Sequence, residues 1–373
     1  MKKTERDKVE DILLINFPGI VRPLKEEDIP TIEKFKDGSF GFSYLGIMLY
    51  ANGRNEKGNS TLYPQGLIYD DGENMFAIGF FKKDLQEKSG HLHIVAPRGK
   101  TWFIAVDNFI KKCRTFENFP MTSVYVRHLS ESKYKEMLSM GYKSISVDPW
   151  HSVAPSEDET YNHRLIKIDD IIGYDPDKQL FVKPLNTDGN RDFRRKALMA
   201  YNRFLNFLER NDLRFYTEEY NPEAHKSQAK DMVIDHFQTL ENAVGSTPQD
   251  YFNLIEYMPK ENNNFVKYIS FLIGGGEKIP VSLFLGEKIG KETVALYATF
   301  ALRNEFEIRE RFNPTGYSAI SQYSYIKMFD LINKGGYKYV DLGGSEVESL
   351  NTFKRQLGAS DKITYWGVKD GKK

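Results

Sequence analysis

A chain of 373 residues with 40% apolar and 14% aromatic side chains is too long for one ordinary core; it suits two packed domains and is not a disordered polymer. Lysine plus arginine and aspartate plus glutamate both count 52, which disfavours a purely electrostatic nucleic-acid binder. A single cysteine, Cys113, excludes an intrachain disulfide and any multi-cysteine zinc site.

No apolar run reaches the length of a membrane span, about 18 residues. Residues 1–10 are charged and lack the apolar core of a signal peptide, so a cytoplasmic location is the default. In chain order, Val21-Arg22-Pro23-Leu24 reads as a short strand, and the acidic run Lys25-Glu26-Glu27-Asp28-Ile29-Pro30 as the favourably charged start of a helix. Residues 66–70 and 75–81 are apolar stretches joined by Asp70-Asp71-Gly72-Glu73-Asn74, a hairpin signal. A strand over 91–96 ends at Pro97-Arg98-Gly99-Lys100. Next comes a helix whose Phe103, Val106, Phe109, Ile110 and Cys113 recur at helical spacing, which makes the cysteine a small buried hydrophobe. A strand over 123–126, a helix over 132–140 and the turn Gly141-Tyr142 complete a first α+β unit.

Residues 149–190, rich in Asp, Pro and Asn, interrupt this regularity, although 164–172 can pair as a strand or turn into a short helix. The domain connection is expected near residue 175, giving units 1–175 and 176–373. The second unit repeats the plan. Helices are expected over 191–208, 224–241 and 247–257, the last capped by Thr247 with Pro248 at its first position. A meander follows over 265–273, 279–285 and 293–302, then a loop over 304–316 and a long helix over 317–334. Gly335-Gly336 ends that helix ahead of a buried strand over 337–342, a helix over 349–357 and a strand over 363–368. The order meander, loop, helix, strand, helix, strand thus occurs twice.

These residues resemble a family. Val21-Arg22-Pro23-Leu24 with the helix behind it looks like the opening of GNAT-superfamily acyltransferases. Gly335-Gly336-Tyr337-Lys338-Tyr339-Val340-Asp341-Leu342-Gly343-Gly344, followed by Phe353-Lys354-Arg355-Gln356-Leu357-Gly358, is similar to the closing segment of tandem-GNAT transferases. Those include the Fem-type peptidyltransferases and the DUF2156 group, the C-terminal domain of phosphatidylglycerol lysyltransferase. The DUF2156 likeness extends to residues 40–44 and 68–71, Ala96-Pro97-Arg98-Gly99 and Arg194-Arg195-Lys196. The resemblance implies two tandem GNAT-like domains, each a mixed, mostly antiparallel sheet flanked by helices. It also implies transfer of an acyl or aminoacyl group from acyl-coenzyme A or aminoacyl-tRNA, as co-substrate, to an amine or hydroxyl on a small molecule, lipid headgroup or peptide. The usual coenzyme A loop is replaced by Pro97-Arg98-Gly99-Lys100-Thr101 and by Asn313-Pro314-Thr315-Gly316-Tyr317-Ser318, and Met137 stands where a tyrosine acid is usual. These departures weigh against acetyl-coenzyme A and leave the first unit without catalysis. The rival readings are a coenzyme A-dependent N-acetyltransferase and a catalytically inactive binding module.

Five groups of residues are candidates for the chemistry. Gly316, Tyr317 and Ser318 open a helix whose free N–H groups suit a donor phosphate, the alternative being a capped loop. Arg303 lies in the same charged stretch as a phosphate or tRNA clamp, or as solvated charge. Asp341 is expected at the carboxyl end of a central strand, as a base or orienting group for an amine, or as a structural acid holding the glycine turn. Lys354 and Arg355 face that end as anion or oxyanion contacts, or as exposed helix charges. Arg194 and Arg195 make one helix face basic, suited to a phosphate or lipid headgroup, or simply solvated. His91 and His93 share a strand face without a third ligand, so no metal is expected. No nucleophile elbow, Walker loop or dinucleotide fingerprint is present.

Overall fold

A computed structural model describes residues 5–51, 63–81, 90–117, 119, 121–144, 162–183, 191–239, 247–261, 263–301, 305–345 and 348–370. The chain divides into two compact units, neither of them continuous in sequence. Unit 1 comprises Met1–Thr160, Val244–Tyr257 and Ile363–Lys373, and unit 2 comprises Tyr161–Ala243 and Met258–Lys362.

In unit 1 the strands β1 (Val21–Pro23), β2 (Leu67–Asp70), β3 (Asn74–Phe81), β4 (Gly90–Gly99), β5 (Met121–Leu129) and β6 (Lys143–Ser144) share one sheet. The hairpin expected at Asp71-Gly72 joins β2 to β3. The Asp71 carboxylate accepts from the backbone N–H of Glu73 at 3.0 Å and of Asn74 at 2.7 Å, which satisfies the turn's donors internally. The strand expected to stop at Ala96 continues through Pro97 to Gly99. Ala96 takes a left-handed φ of 48°, and the register against β3 shifts, so the proline sits at a bulge where a lost donor is tolerated. The helix Trp102–Cys113 buries Val106, Phe109, Ile110 and Cys113 against the sheet, and Tyr69 stacks on Phe76 with ring centroids 4.4 Å apart.

Unit 2 holds β7 (His163–Lys167), β8 (Ile172–Tyr174), β9 (Leu180–Val182), β10 (Arg214–Glu219), β11 (Phe265–Gly274), β12 (Glu277–Lys288), β13 (Thr293–Ala301), β14 (Tyr339–Asp341) and β15 (Ser360–Lys362). β8 and β9 form a separate two-stranded sheet. β10 was not anticipated, although Phe215, Tyr216 and Thr217 are strand-favouring residues. The expected loop over 304–316 contains a short helix, Glu305–Arg311, and the expected long helix begins with a 3-10 turn, Tyr317–Ala319, before the α-helix Ile320–Lys334.

Among the described residues both sheets have seven strands, and they share one common logic. Their orders are β1-β2-β3-β4-β5-β16-β6 and β10-β11-β12-β13-β14-β7-β15, where β16 is Tyr365–Asp370. Each starts as an antiparallel meander and then switches to a parallel pair, β4 with β5 and β13 with β14. The sixth place in each sheet is taken by a strand distant in sequence. β6 stays in the first sheet while β7 joins the second, and β15 stays in the second while β16 joins the first. The fold class is therefore two GNAT-like α+β domains with reciprocally exchanged closing strands.

The boundary expected near residue 175 lies within unit 2, because β7 already pairs with β14. The helix Pro248–Glu256, expected in the second domain, belongs to unit 1, where the Asn253 side-chain amide donates to the Pro64 carbonyl at 3.2 Å. Its capping was legible: Asp250 accepts from the Thr247 backbone N–H at 2.7 Å.

Candidate functional site

At the carboxyl end of β14, Tyr339-Val340-Asp341 is a short strand with neighbours on both sides, Ala295 of β13 and Leu165 of β7 lying opposite Asp341. The Asp341 side chain is wholly buried. Its Oδ1 accepts from the Gly343 backbone N–H at 3.0 Å and lies 3.3 Å from His163 Nδ1, while Oδ2 accepts from Lys362 Nζ at 2.7 Å. Burial alone would push this carboxyl up, but the Lys362 ammonium and His163 hold it far below the ordinary carboxylate range. Asp341 is thus an anion held in place by Gly343, His163 and Lys362.

Two further layers surround it. The turn Leu342-Gly343-Gly344 is tied to β7 by the Leu342 N–H donating to the Arg164 carbonyl at 2.8 Å and the Arg164 N–H donating to the Gly343 carbonyl at 3.0 Å. On the helix Glu348–Gln356, Lys354 is buried and its ammonium donates to the Gly344 carbonyl, which joins that helix to the Asp341 turn. Arg164 donates through Nε to Asn351 Oδ1 at 2.8 Å and pairs with Asp361. Burial and then nearby Arg355 lower the Arg164 pKa. Arg355 itself is exposed. Lys354 thus reaches the turn that follows Asp341, through Gly344, with Arg355 one residue further along the same helix.

The Gly316 turn is built differently. Gly316 has a left-handed φ of 97°, and a Cβ there would lie 2.5 Å from the Arg203 carbonyl oxygen, so glycine lets the turn pack on the helix Arg191–Arg210. Tyr317 is corrected from ligand contact to core. Its ring is buried beside Phe207 and Phe204, with centroids 5.4 Å and 6.5 Å away, and its N–H donates to the Pro314 carbonyl at 2.9 Å. The preceding loop is held by Asn211, which accepts from the Asn313 N–H at 2.8 Å and donates to its carbonyl at 3.0 Å. Ser318 is exposed. Arg303 lies outside the described residues, as do the side chains of Arg194 and Arg195.

His163 and Lys362, which complete the Asp341 cluster, carried no local signal, since they stand on β7 and β15 and meet Asp341 only through sheet pairing. Among the described residues, no group of three or more His, Cys, Asp or Glu is placed to hold a metal ion, and no helix is long and apolar enough to cross a membrane.

No family model matches the sequence, and no curated protein matches it. Solved structures do share its fold. A conserved protein of unknown function from Bacteroides thetaiotaomicron superposes with a TM-score of 0.58 at 11% identity, over 93% of this chain and 98% of that one. The C-terminal domain (DUF2156) of a putative lysylphosphatidylglycerol synthetase from Agrobacterium fabrum gives 0.51 at 10% identity, over 92% and 91%. FemX gives 0.54 at 10% identity, over 93% and 96%. The chain thus has the tandem GNAT-like fold of the DUF2156 and Fem-type proteins, nearly end to end.

Proposed function

We propose that the protein is an acyl- or aminoacyl-transferase, with its chemistry in unit 2, moving an acyl group from an activated carrier to an amine or hydroxyl acceptor. The observation that carries this reading is the cluster at the carboxyl end of β14, where Asp341, His163, Lys362 and Lys354 converge beside the parallel β13/β14 pair. Ligand sites gather where strand order changes in this way. The acceptor would attack the carrier's ester or thioester directly, with positioning and oxyanion stabilisation supplying most of the rate.

Within this proposal Asp341 orients and His163 exchanges the proton, because an imidazole is the side chain suited to that task near neutral pH. Lys354 steadies the turn through Gly344, and exposed Arg355 meets the anionic carrier. Gly316 and Ser318 border the donor, while Arg303, Arg194 and Arg195 contact carrier or acceptor. The name of one protein that shares the fold, a domain of a putative lysylphosphatidylglycerol synthetase, supports a lipid-headgroup acceptor.

The decisive experiment offers the purified chain acetyl-coenzyme A or a set of aminoacyl-tRNAs, with thermal shift to find the donor and radiolabel transfer to find the acceptor. Stabilisation by a charged tRNA, with transfer abolished in Asp341→Asn, is the expected result. Stabilisation by acetyl-coenzyme A alone would identify an N-acetyltransferase. A folded Asp341→Asn, Lys354→Ala double variant that behaves like the parent in every assay would identify a binding module.

A further inference from the structure

Among the described residues the two sheets end in four edge strands, β1, β6, β10 and β15, and one of them differs from the rest. β1 has three residues and carries Pro23, β6 has two residues, and β15 has three. Short edges and edge prolines guard a sheet against pairing with another chain. β10 has six residues without proline or glycine, and its register on β11 runs unbroken from Arg214 opposite Ile273 to Glu219 opposite Tyr268.

The phase of this ladder fixes which backbone groups face outward. The Tyr220 N–H donates to the Lys267 carbonyl at 3.0 Å, and bonding to β11 then recurs at every second residue, Glu218, Tyr216 and Arg214. β11 agrees from its other side. The Lys288 N–H donates to the Asn264 carbonyl at 2.8 Å, which commits Val266, Tyr268 and Ser270 to β12 and leaves the residues between them for β10. Phe215, Thr217 and Glu219 therefore turn their N–H and C=O groups away from the sheet.

The side chains decide what can pair there. Arg214, Tyr216 and Glu218 share one face of the strand. Arg214 is exposed and has no charged partner among the described residues, and Tyr216 is 46% exposed. Glu218 meets Lys278 Nζ at 2.8 Å and His225 Nε2 at 3.1 Å, both through Oε1, so Oε2 can take a further cation without displacing either. Antiparallel pairing of two copies of β10 must match outward residues with outward residues. A two-fold axis at Tyr216 does so: Phe215 of each copy forms a hydrogen-bonded pair with Thr217 of the other. The same register sets each Arg214 opposite a Glu218 and the two Tyr216 side chains against each other, so the strand is complementary in charge to its own reversed copy.

We infer that the exposed edge of β10 is a self-association surface, on which a second copy of this chain adds its own β10 antiparallel about a two-fold axis at Tyr216. Six residues a side fall short of the roughly 20 of a standard interface, so the dimer is one that dilution dissociates. The surface is independent of the transfer chemistry proposed for unit 2.

Sedimentation equilibrium of the full chain from about 1 μM to about 1 mM measures the association. The weight-average mass should rise from one chain towards two across that range. Arg214→Glu, at an exposed and unpaired position, turns two attractions into two repulsions and should weaken the dimer at least about tenfold. Mild oxidation of Tyr216→Cys should trap a covalent dimer, because the axis brings the two Cα atoms to about 4.5 Å, within disulfide reach. Thr217→Cys, which lies on the other face and opposite Phe215, should not be trapped, and the native Cys113 is buried. A single chain at every concentration overturns the inference and leaves this edge to a strand of another protein. It is equally overturned if Arg214→Glu associates as tightly as the parent, or if Thr217→Cys is trapped as readily as Tyr216→Cys, since another surface or register then joins the copies.

Discussion

Asp341 and Lys362 stand 21 residues apart in sequence, yet Oδ2 and Nζ meet at 2.7 Å, the carboxylate wholly buried and the ammonium about one-third exposed. The pair is asymmetric, because one partner can return to water and the other cannot.

That asymmetry predicts unequal damage. Lys362→Met leaves a buried charge with His163 and one backbone donor, and should destabilise the protein by about 3 kcal/mol, whereas Asp341→Asn leaves a lysine able to rehydrate, at about 1 kcal/mol. Urea unfolding at neutral pH measures both. The folded pKa of Asp341 is depressed, so its contribution is complete above the ordinary carboxylate range and is lost as pH falls below it. Acidification from neutrality should therefore narrow the gap between the parent and Asp341→Asn; a constant gap would show that the pairing does not depress this carboxyl.

Lys133 offers the opposite sign. Burial, and then the neighbouring Arg98, lower its pKa to about 8 from 10.5, with Asp37 opposing. Folding therefore works against this proton below about pH 8, and the penalty fades as pH rises towards 10.5. Compared with Lys133→Met, the parent should gain stability between pH 8 and pH 10, read from paired denaturant midpoints. A pH-independent difference would mean that the amine titrates alike in both states.

Gly316→Ala sets a side chain at φ 97° against a backbone carbonyl 2.5 Å away, which cannot swing aside as a flexible side chain would. A loss of about 2 kcal/mol is expected from the backbone conformation alone, with a lowered thermal midpoint. An unchanged midpoint would show that the turn can lift off the helix Arg191–Arg210 without penalty.

Cys113 lies wholly buried on the helix Trp102–Cys113, and burial pushes its thiol well above the ordinary range. A thiol reagent should leave the folded protein untouched and modify it fully in denaturant. Rapid reaction in the native state would place this helix face in contact with solvent.

Much of the local structure was legible. The Asp71-Gly72 hairpin, the Thr247 cap, the helix Trp102–Cys113 and the repeated meander all follow from turn chemistry and from apolar spacing of two or 3.6. Of the candidate site, the place of Asp341 at a strand end was legible, because a short apolar strand ending in an acid before paired glycines marks such an end. Tyr317 was misread, since its position after Gly316 resembles a ligand turn, whereas its neighbours in space, Phe204 and Phe207, lie on an earlier helix.

The amino-acid order by itself determined most of the longer strands and helices, where they turn, and which faces avoid water, but not β10 or the helix Glu305–Arg311. Only the tertiary structure decided which sheet each closing strand enters: β16 beside β5, β7 beside β14, and the helix Pro248–Glu256 in unit 1. A periodic pattern states that a face is buried but not against what, and backbone hydrogen bonds between strands are the same for any pair of sequences. The partners of Asp341 were consequently settled by long-range pairing, which no local stretch of the chain encodes.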